Sequence, residues 1–362
     1  GKADDPPDDF EMKLQPCSVP VVFLTKSGFA KLGLDGDAVA IHTDIIREEK
    51  TGHNVVGFLN NHKPYTVVIS AHYDHLGFGG EGSLYRGAPA IHNGADDNAS
   101  GVAALLQLAA DLQKMPNAKN NNYLFIAFSG EEKGLYGSNW WSKHPTLAID
   151  SLTYMINMDM VGRLDSTSDL AINGVGTSPA WAQVTALKTG DLNIKTTEGG
   201  IGPSDHTSFY LQGVPVLHFF TGSHEDYHKP SDDADKVNYP GMLRVARYIE
   251  AVITTLNDST KLVFTKTADT DTSEAPRFTV TLGVVPDYMY DGKGLRIDGV
   301  TEGKTASVAG LKAGDVVIKM GDHETPDMMG YMKALGMFKK GDETTVDVLR
   351  DGKPMTVHIK FQ

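Results

Sequence analysis

Two histidines and three carboxylates, His72, Asp97, Glu132, Asp159 and His228, stand in order along the chain. Their contexts are Ala-His-Tyr-Asp-His, Gly-Ala-Asp-Asp-Asn-Ala-Ser-Gly, Ser-Gly-Glu-Glu, Asn-Met-Asp-Met and Asp-Tyr-His-Lys-Pro. Two imidazoles and three carboxylates are what two divalent cations need if one carboxylate bridges them. Nitrogen and oxygen donors with no thiolate suit zinc, with manganese or cobalt as substitutes. Paired ions of this kind lower the pKa of a water toward neutrality, so the set points to hydrolysis. Singly, each residue is most simply a surface or structural group; five in matching settings are not. Glu131 and Glu132 follow an apolar run and a Ser-Gly turn, where their approach to other acids is destabilising without a cation. His72 and Asp74 lie at i and i+2 where a strand ends, so both point to one face. Asp74 is expected to accept the other ring N–H of His72 and fix its tautomer.

The elements that must hold these groups are readable from periodicity. Tyr65–Ala71 is a continuous β-branched run of the kind found in central strands. Leu105, Leu108, Ala109 and Leu112 follow helical spacing after Ser100, a helix cap by type, and Pro116 ends that helix. Further strands are expected at Tyr123–Phe128, Tyr154–Met158, Leu170–Val175 and Val214–Phe219. A short helix follows Gly134, another spans Pro179–Lys188, and Met242, Val245, Ala246, Ile249, Ile253 and Leu256 mark a closing helix. Near the start, Val19–Leu24 reads as a strand, and a hairpin is expected around Glu48–Gly52. Alternating strand and helix predict an α/β fold, an open, mostly parallel mixed sheet flanked by helices. Every ligand but Asp97 then follows a strand, and Asp97 precedes the helix at Ser100, so the set gathers in the crevice beyond the carboxyl ends of the strands.

Past residue 258 the pattern changes. Residues 259–276 are polar and rich in Thr, Asp and Ser, a linker by composition. Residues 277–362 show short strands and glycine turns, a small mainly-β module. Residues 1–37 form an N-terminal extension and 38–258 the ligand-bearing domain. A formal net charge of -13 argues against nucleic acid or an anionic membrane as partner. No run long and apolar enough for a membrane span exists. Cys17 stands alone, so an internal disulfide is excluded. Any signal peptide would already be gone ahead of the polar start at Gly1, and an exported bacterial chain, periplasmic or extracellular, is the expectation.

Over residues 38–258 these motifs resemble the M28 family of di-zinc exopeptidases, which groups aminopeptidases with glutamate carboxypeptidases. The resemblance implies that His72 and Asp159 hold one zinc, Glu132 and His228 the other, and that Asp97 bridges them. It implies a cis peptide between Asp97 and Asn98, Glu131 as general base, and Tyr227 as the group that steadies the tetrahedral oxyanion. A packing aromatic is the plain alternative for Tyr227. Ser204–Phe209 resembles a segment lining the substrate cleft, with Pro203 where some members carry arginine. With no basic cluster near Gly199–Asp205 to hold an acidic C-terminal residue, an aminopeptidase acting on free N-termini is the better expectation. Glu131 and Asp159 would meet the substrate ammonium.

Val19–Leu34 resembles the trailing part of a protease-associated domain, or is a packed extension. Residues 277–362 resemble a PDZ domain through Gly294-Leu-Arg-Ile and Ala309-Gly-Leu-Lys-Ala-Gly-Asp-Val-Val. By that resemblance Leu282, Gly283 and Val284 form the loop whose amides receive a peptide C-terminus. Two other readings stand beside the peptidase. One is a glutaminyl cyclase-like transferase with one zinc; the other is a non-catalytic peptide-binding protein.

Overall fold

The computed structural model describes residues 50–361 except 81, 86, 188–189, 259, 268–279, 288–289, 291, 301–302 and 327. The expected Val19–Leu24 strand, the protease-associated remnant and most of the linker fall outside those residues, as does part of the Glu48–Gly52 hairpin.

Seven strands form the first sheet: β1 (Val55–Leu59), β2 (Thr66–His72), β3 (Asn122–Phe128), β4 (Leu152–Met158), β5 (Asp169–Asn173), β6 (Asn193–Thr197) and β7 (Val216–Phe220). Their order is β1-β3-β2-β4-β7-β5-β6. The pairs β2/β3, β2/β4, β4/β7 and β5/β6 are parallel, while β1/β3 and β5/β7 are antiparallel. A mixed, mostly parallel sheet is thus what forms. β2, β4 and β7 are buried along their whole length, which is why they read as unbroken apolar runs. β6 escaped the sequence reading because its Asn-Ile-Lys-Thr-Thr has no apolar run and sits exposed at the sheet edge.

Helices cover both faces: α1 (Gly101–Leu112), α2 (Tyr136–Lys143), α3 (Trp181–Thr185), α4 (His206–Tyr210) and α5 (Tyr239–Thr255). Successive strand side chains point to opposite faces, and the core divides accordingly. Val67, Ile69, Tyr154 and Ile156 pack with Leu105, Leu108, Trp181, Ile249 and Val252. Val68, Leu124, Met155 and Val216 pack with Trp141 and Phe209, whose rings stack at 5.2 Å. Asn238 caps α5 by accepting the Gly241 N–H.

Ser100 does not cap α1, contrary to expectation. Its hydroxyl donates to Asp96 O at 2.7 Å and accepts the Val161 N–H. The reason is the turn Ala95–Ser100, in which Asp97 and Asn98 leave helical geometry and the Asp97–Asn98 peptide is cis. The expected helix at Pro179–Lys188 is shorter, Trp181–Thr185, with residue 188 outside the described set.

A second sheet, antiparallel throughout, contains β8 (Val284–Pro286), β9 (Leu295–Val300), β10 (Val316–Met320), β11 (His323–Glu324), β12 (Glu343–Arg350) and β13 (Lys353–Lys360). Its order is β13-β12-β10-β9-β8, with β11 beside β10, and α6 (Thr305–Val308) and α7 (Met328–Leu335) accompany it. Leu282, Leu295, Ile297, Val317, Val346, Ile359 and Phe361 form its core. In the Gly310–Asp315 element both glycines take positive φ, where a side chain would be strained. Buried Asp315 meets Arg350 with two hydrogen bonds of 2.7 Å.

Candidate metal centre

The chain folds so that β2, β3, β4 and β7, all parallel to one another, end at one crevice. His72 is the last residue of β2, Glu131 and Glu132 follow β3, Asp159 follows β4, and His228 lies in the loop after β7. Asp97 enters from the turn ahead of α1. All five expected ligands converge. Asp97 presents Oδ1 to His72 Nε2 at 3.3 Å and Oδ2 to His228 Nε2 at 3.2 Å. Asp159 lies 3.5 Å from His72 Nε2, and Glu132 lies 3.3 Å from His228 Nε2. Two half-sites therefore meet at one carboxylate. Glu131 is 4.0 Å from His72 Nε2 and groups with His72 and Asp159.

The imidazoles carry the argument for cations. His72 Nδ1 donates to the Asp74 backbone carbonyl at 3.1 Å, and His228 Nδ1 donates to Gly82 O at 2.8 Å. A carbonyl oxygen only accepts, so each Nδ1 bears a hydrogen and each neutral ring turns an Nε2 lone pair toward carboxylate oxygens. Lone pairs facing one another at 3.2–3.5 Å repel unless something positive lies between them. A proton or a divalent ion would serve, and nitrogen and oxygen donors fit zinc. The titration preferences reflect the same crowding. Burial depresses His72, but Glu131 and Asp159 outweigh it and hold the imidazole well above its usual range. Burial also works against charge on His228, yet Asp97 and Glu132 lift it to about 10. Glu131 is held well above the usual carboxylate range, first by burial and then by Asp159 and its other acidic neighbours against the opposing pull of His72.

Asp74 departs from its expected role. Its carboxylate is 3.8 Å from His72 Nδ1. It accepts the backbone N–H groups of Glu131 and Glu132 instead, at 3.1 and 3.3 Å. The strand ends at His72, so the alternation that would bring the two side chains together stops there. Asp74 fixes the Glu131–Glu132 turn, and its main chain orients His72. The ring of Tyr227 stacks on His228 at 3.8 Å and lines the cleft.

The sequence reading missed three groups. His75 Nδ1 lies 2.6 Å from Glu132 Oε1 and groups with Asp97 and Glu132; its place three residues after His72 was the available signal. Burial pushes the fully buried Asp205 up to about 7, against the pull of His72 and Ser138. Asp232, fully buried, accepts the N–H groups of Asp96 and Asp97 on one oxygen at 2.9 and 3.0 Å, and meets Arg163 on the other at 3.4 Å. It thereby ties the His228 loop to the turn that aims Asp97. Asp232→Ala leaves two buried amides without their acceptor while Arg163 keeps Asp226 at 2.8 Å, so unfolding in urea should show a loss of about 3 kcal/mol.

The cleft itself has a volume of about 380 Å³ and is walled by Leu135, Met160, Ile201, Pro203, Phe220 and Tyr227 around the acids. Leu135, Met160 and His228 all hold φ between 52° and 59°, the left-handed region that side chains rarely adopt. At the second sheet, Leu282 is buried in the core, Gly283 has φ 73° and Val284 begins β8, an edge strand. The Gly283 N–H already donates to Thr281 Oγ1 at 2.9 Å, so the expected carboxylate loop does not offer that amide.

Comparison with known proteins places two families on the chain. The model of peptidase family M28 matches residues 54–253, and that of the PDZ domain matches 270–361. Aminopeptidase YwaD of Bacillus subtilis (strain 168) is 28% identical over 255 residues, covering 65% of this chain and 51% of that protein. The uncharacterized protein YfbL of Escherichia coli (strain K12) is 30% identical over 227 residues, covering 53% of this chain and 67% of its own length. A solved zinc aminopeptidase from Bacillus subtilis aligns at 24% identity with a TM-score of 0.46, covering 58% of this chain and 52% of that one. The chain thus spans about half the length of the Bacillus subtilis aminopeptidase.

Proposed function

The chain belongs to peptidase family M28, and from that premise we propose that it is a metal-dependent aminopeptidase releasing the first residue of peptides with a free N-terminus. One observation carries the reading: the two oxygens of Asp97 face His72 and His228 separately. His72, Asp97 and Asp159 would hold one Zn2+, and Asp97, Glu132 and His228 a second, with Mn2+ or Co2+ able to replace them. When bound, the ions polarise the scissile carbonyl and lower the pKa of the attacking water. Glu131 takes a proton from that water as the oxygen–carbon bond forms. It returns the proton to the amine nitrogen as the carbon–nitrogen bond breaks. Asp74 keeps Glu131 in register through the two amides it accepts. Tyr227, whose ring lines the cleft beside His228, would steady the developing oxyanion, and Glu131 and Asp159 would supply the negative charge that a substrate ammonium requires.

The peptidase domain is assigned to 38–258 and the PDZ domain to 277–362, joined by 259–276. A peptide C-terminus is the proposed partner of the PDZ module at edge strand β8, which requires the Gly283 amide to exchange its Thr281 bond. The test of the enzymatic reading is hydrolysis of free-amine tripeptides beside their N-acetylated twins on zinc-loaded protein. Release of the first residue from the free peptides alone is expected. Cleavage indifferent to acetylation would contradict an aminopeptidase, and cyclisation of glutaminyl peptides without hydrolysis would favour the transferase reading.

A further inference from the structure

The outer face of α2 is not used by anything described so far. Gly134 and Leu135, just ahead of that helix, line the cleft beside Glu131 and Glu132. The Tyr136 N–H bonds to Gly130 O at 2.9 Å, which ties the start of the helix to the residue just before Glu131. From there Tyr136 and Trp140, one turn apart, project outward and are 67% and 58% exposed. The Trp140 ring rests on His144 at 4.7 Å, which holds it in place. Its neighbours on the opposite side, Gly137, Ser138, Trp141 and Ser142, are buried. A single exposed aromatic needs no explanation, but two one turn apart beside a cleft form a local apolar patch of the kind at which peptides bind.

We propose that Tyr136 and Trp140 form a platform for the downstream part of the substrate, an extended peptide with apolar or aromatic side chains beyond the second residue. The inference rests on the aminopeptidase reading. An enzyme that removes one residue must leave the remainder of a long peptide outside the closed part of its cleft. Leu135, a wall of the cleft, is directly followed by Tyr136, and the Tyr136 and Trp140 rings open to solvent. The spacing fits as well. Residues i and i+4 of a helix are offset by about 6 Å along its axis, close to the roughly 6.7 Å between alternate side chains of an extended strand. Two alternate residues of the peptide can therefore lie one on each ring. A second copy of this chain is a competing cover, and the test separates the two.

The test compares Leu-Gly, Leu-Gly-Gly-Gly-Gly and Leu-Gly-Phe-Gly-Phe on the full chain loaded with zinc. Wild-type protein is expected to favour the phenylalanine pentapeptide over the glycine one by about tenfold in kcat/KM, the scale of one to two aromatic contacts. Trp140→Ala should reduce that ratio at least fivefold through KM, and Tyr136→Leu should reduce it less. Leu106→Ala, which trims an exposed apolar side chain on α1, should keep the ratio. An unaltered ratio in Trp140→Ala would overturn the proposal, as would equal losses on all three peptides. If no peptide is cleaved, the aminopeptidase reading fails, and calorimetric affinity still decides the platform. Tighter binding of the phenylalanine peptide, weakened in Trp140→Ala, supports it; equal affinities sink it. A dimer that dissociates in Trp140→Ala, with unaltered peptide affinity, would assign the face to self-association instead.

Discussion

Glu131→Gln is expected to keep the fold and the bound metal while lowering kcat by roughly 10²–10⁴-fold, the range of a positioned general base. The substitution is close to isosteric, and the backbone N–H of residue 131 still reaches Asp74 Oδ1. Glu131 is the acid of the cleft that sits farthest from an imidazole nitrogen, at 4.0 Å. Its removal therefore alters proton transfer more than it alters the ligand set. Metal content by atomic emission, taken with kcat on a free-amine tripeptide, checks both halves. A variant that keeps a tenth of the wild-type rate would remove Glu131 from the base position.

Chelation is the second large effect. Stripping divalent ions should take turnover to background and lower the melting temperature, and adding zinc should restore both. The stability arises by mass action, because the assembled ligand set exists only in the folded chain: free ion at a thousand times Kd adds about 4 kcal/mol. Differential scanning calorimetry with and without chelator reads the shift. A melting temperature insensitive to chelator would mean that the crowded carboxylates are relieved by protons and that no ion is held. Titration with zinc should saturate at two ions per chain; saturation at one would favour the cyclase-like reading.

How much of this was legible in the chain depends on whether a signal was local. The buried strands β2 and β4 announce themselves as β-branched and apolar runs, because both faces of the sheet are covered. The five candidate ligands could be picked out because each sits within a few residues of a strand end or a glycine turn. Asp74 shows the limit of that logic. Spacing i, i+2 predicts a shared face only while the strand continues, and β2 stops at His72. Asp232 was beyond reach for another reason: the amides it holds are 135 and 136 residues away, and nothing in Pro-Ser-Asp-Asp names a partner. Ser100 misled because a good cap residue was needed elsewhere, between Asp96 and Val161. β6 misled because an exposed edge strand lacks the apolar run by which its neighbours are found.

The left-handed backbone at Leu135 and Met160 sets stability and selectivity against one another. A side chain held there costs on the order of 1 kcal/mol or more, which glycine would relieve. Both side chains also shape the cleft. A screen for heat-resistant variants is thus drawn toward glycine at 135 and 160, and its winners should be sturdier enzymes with blunter discrimination among first residues.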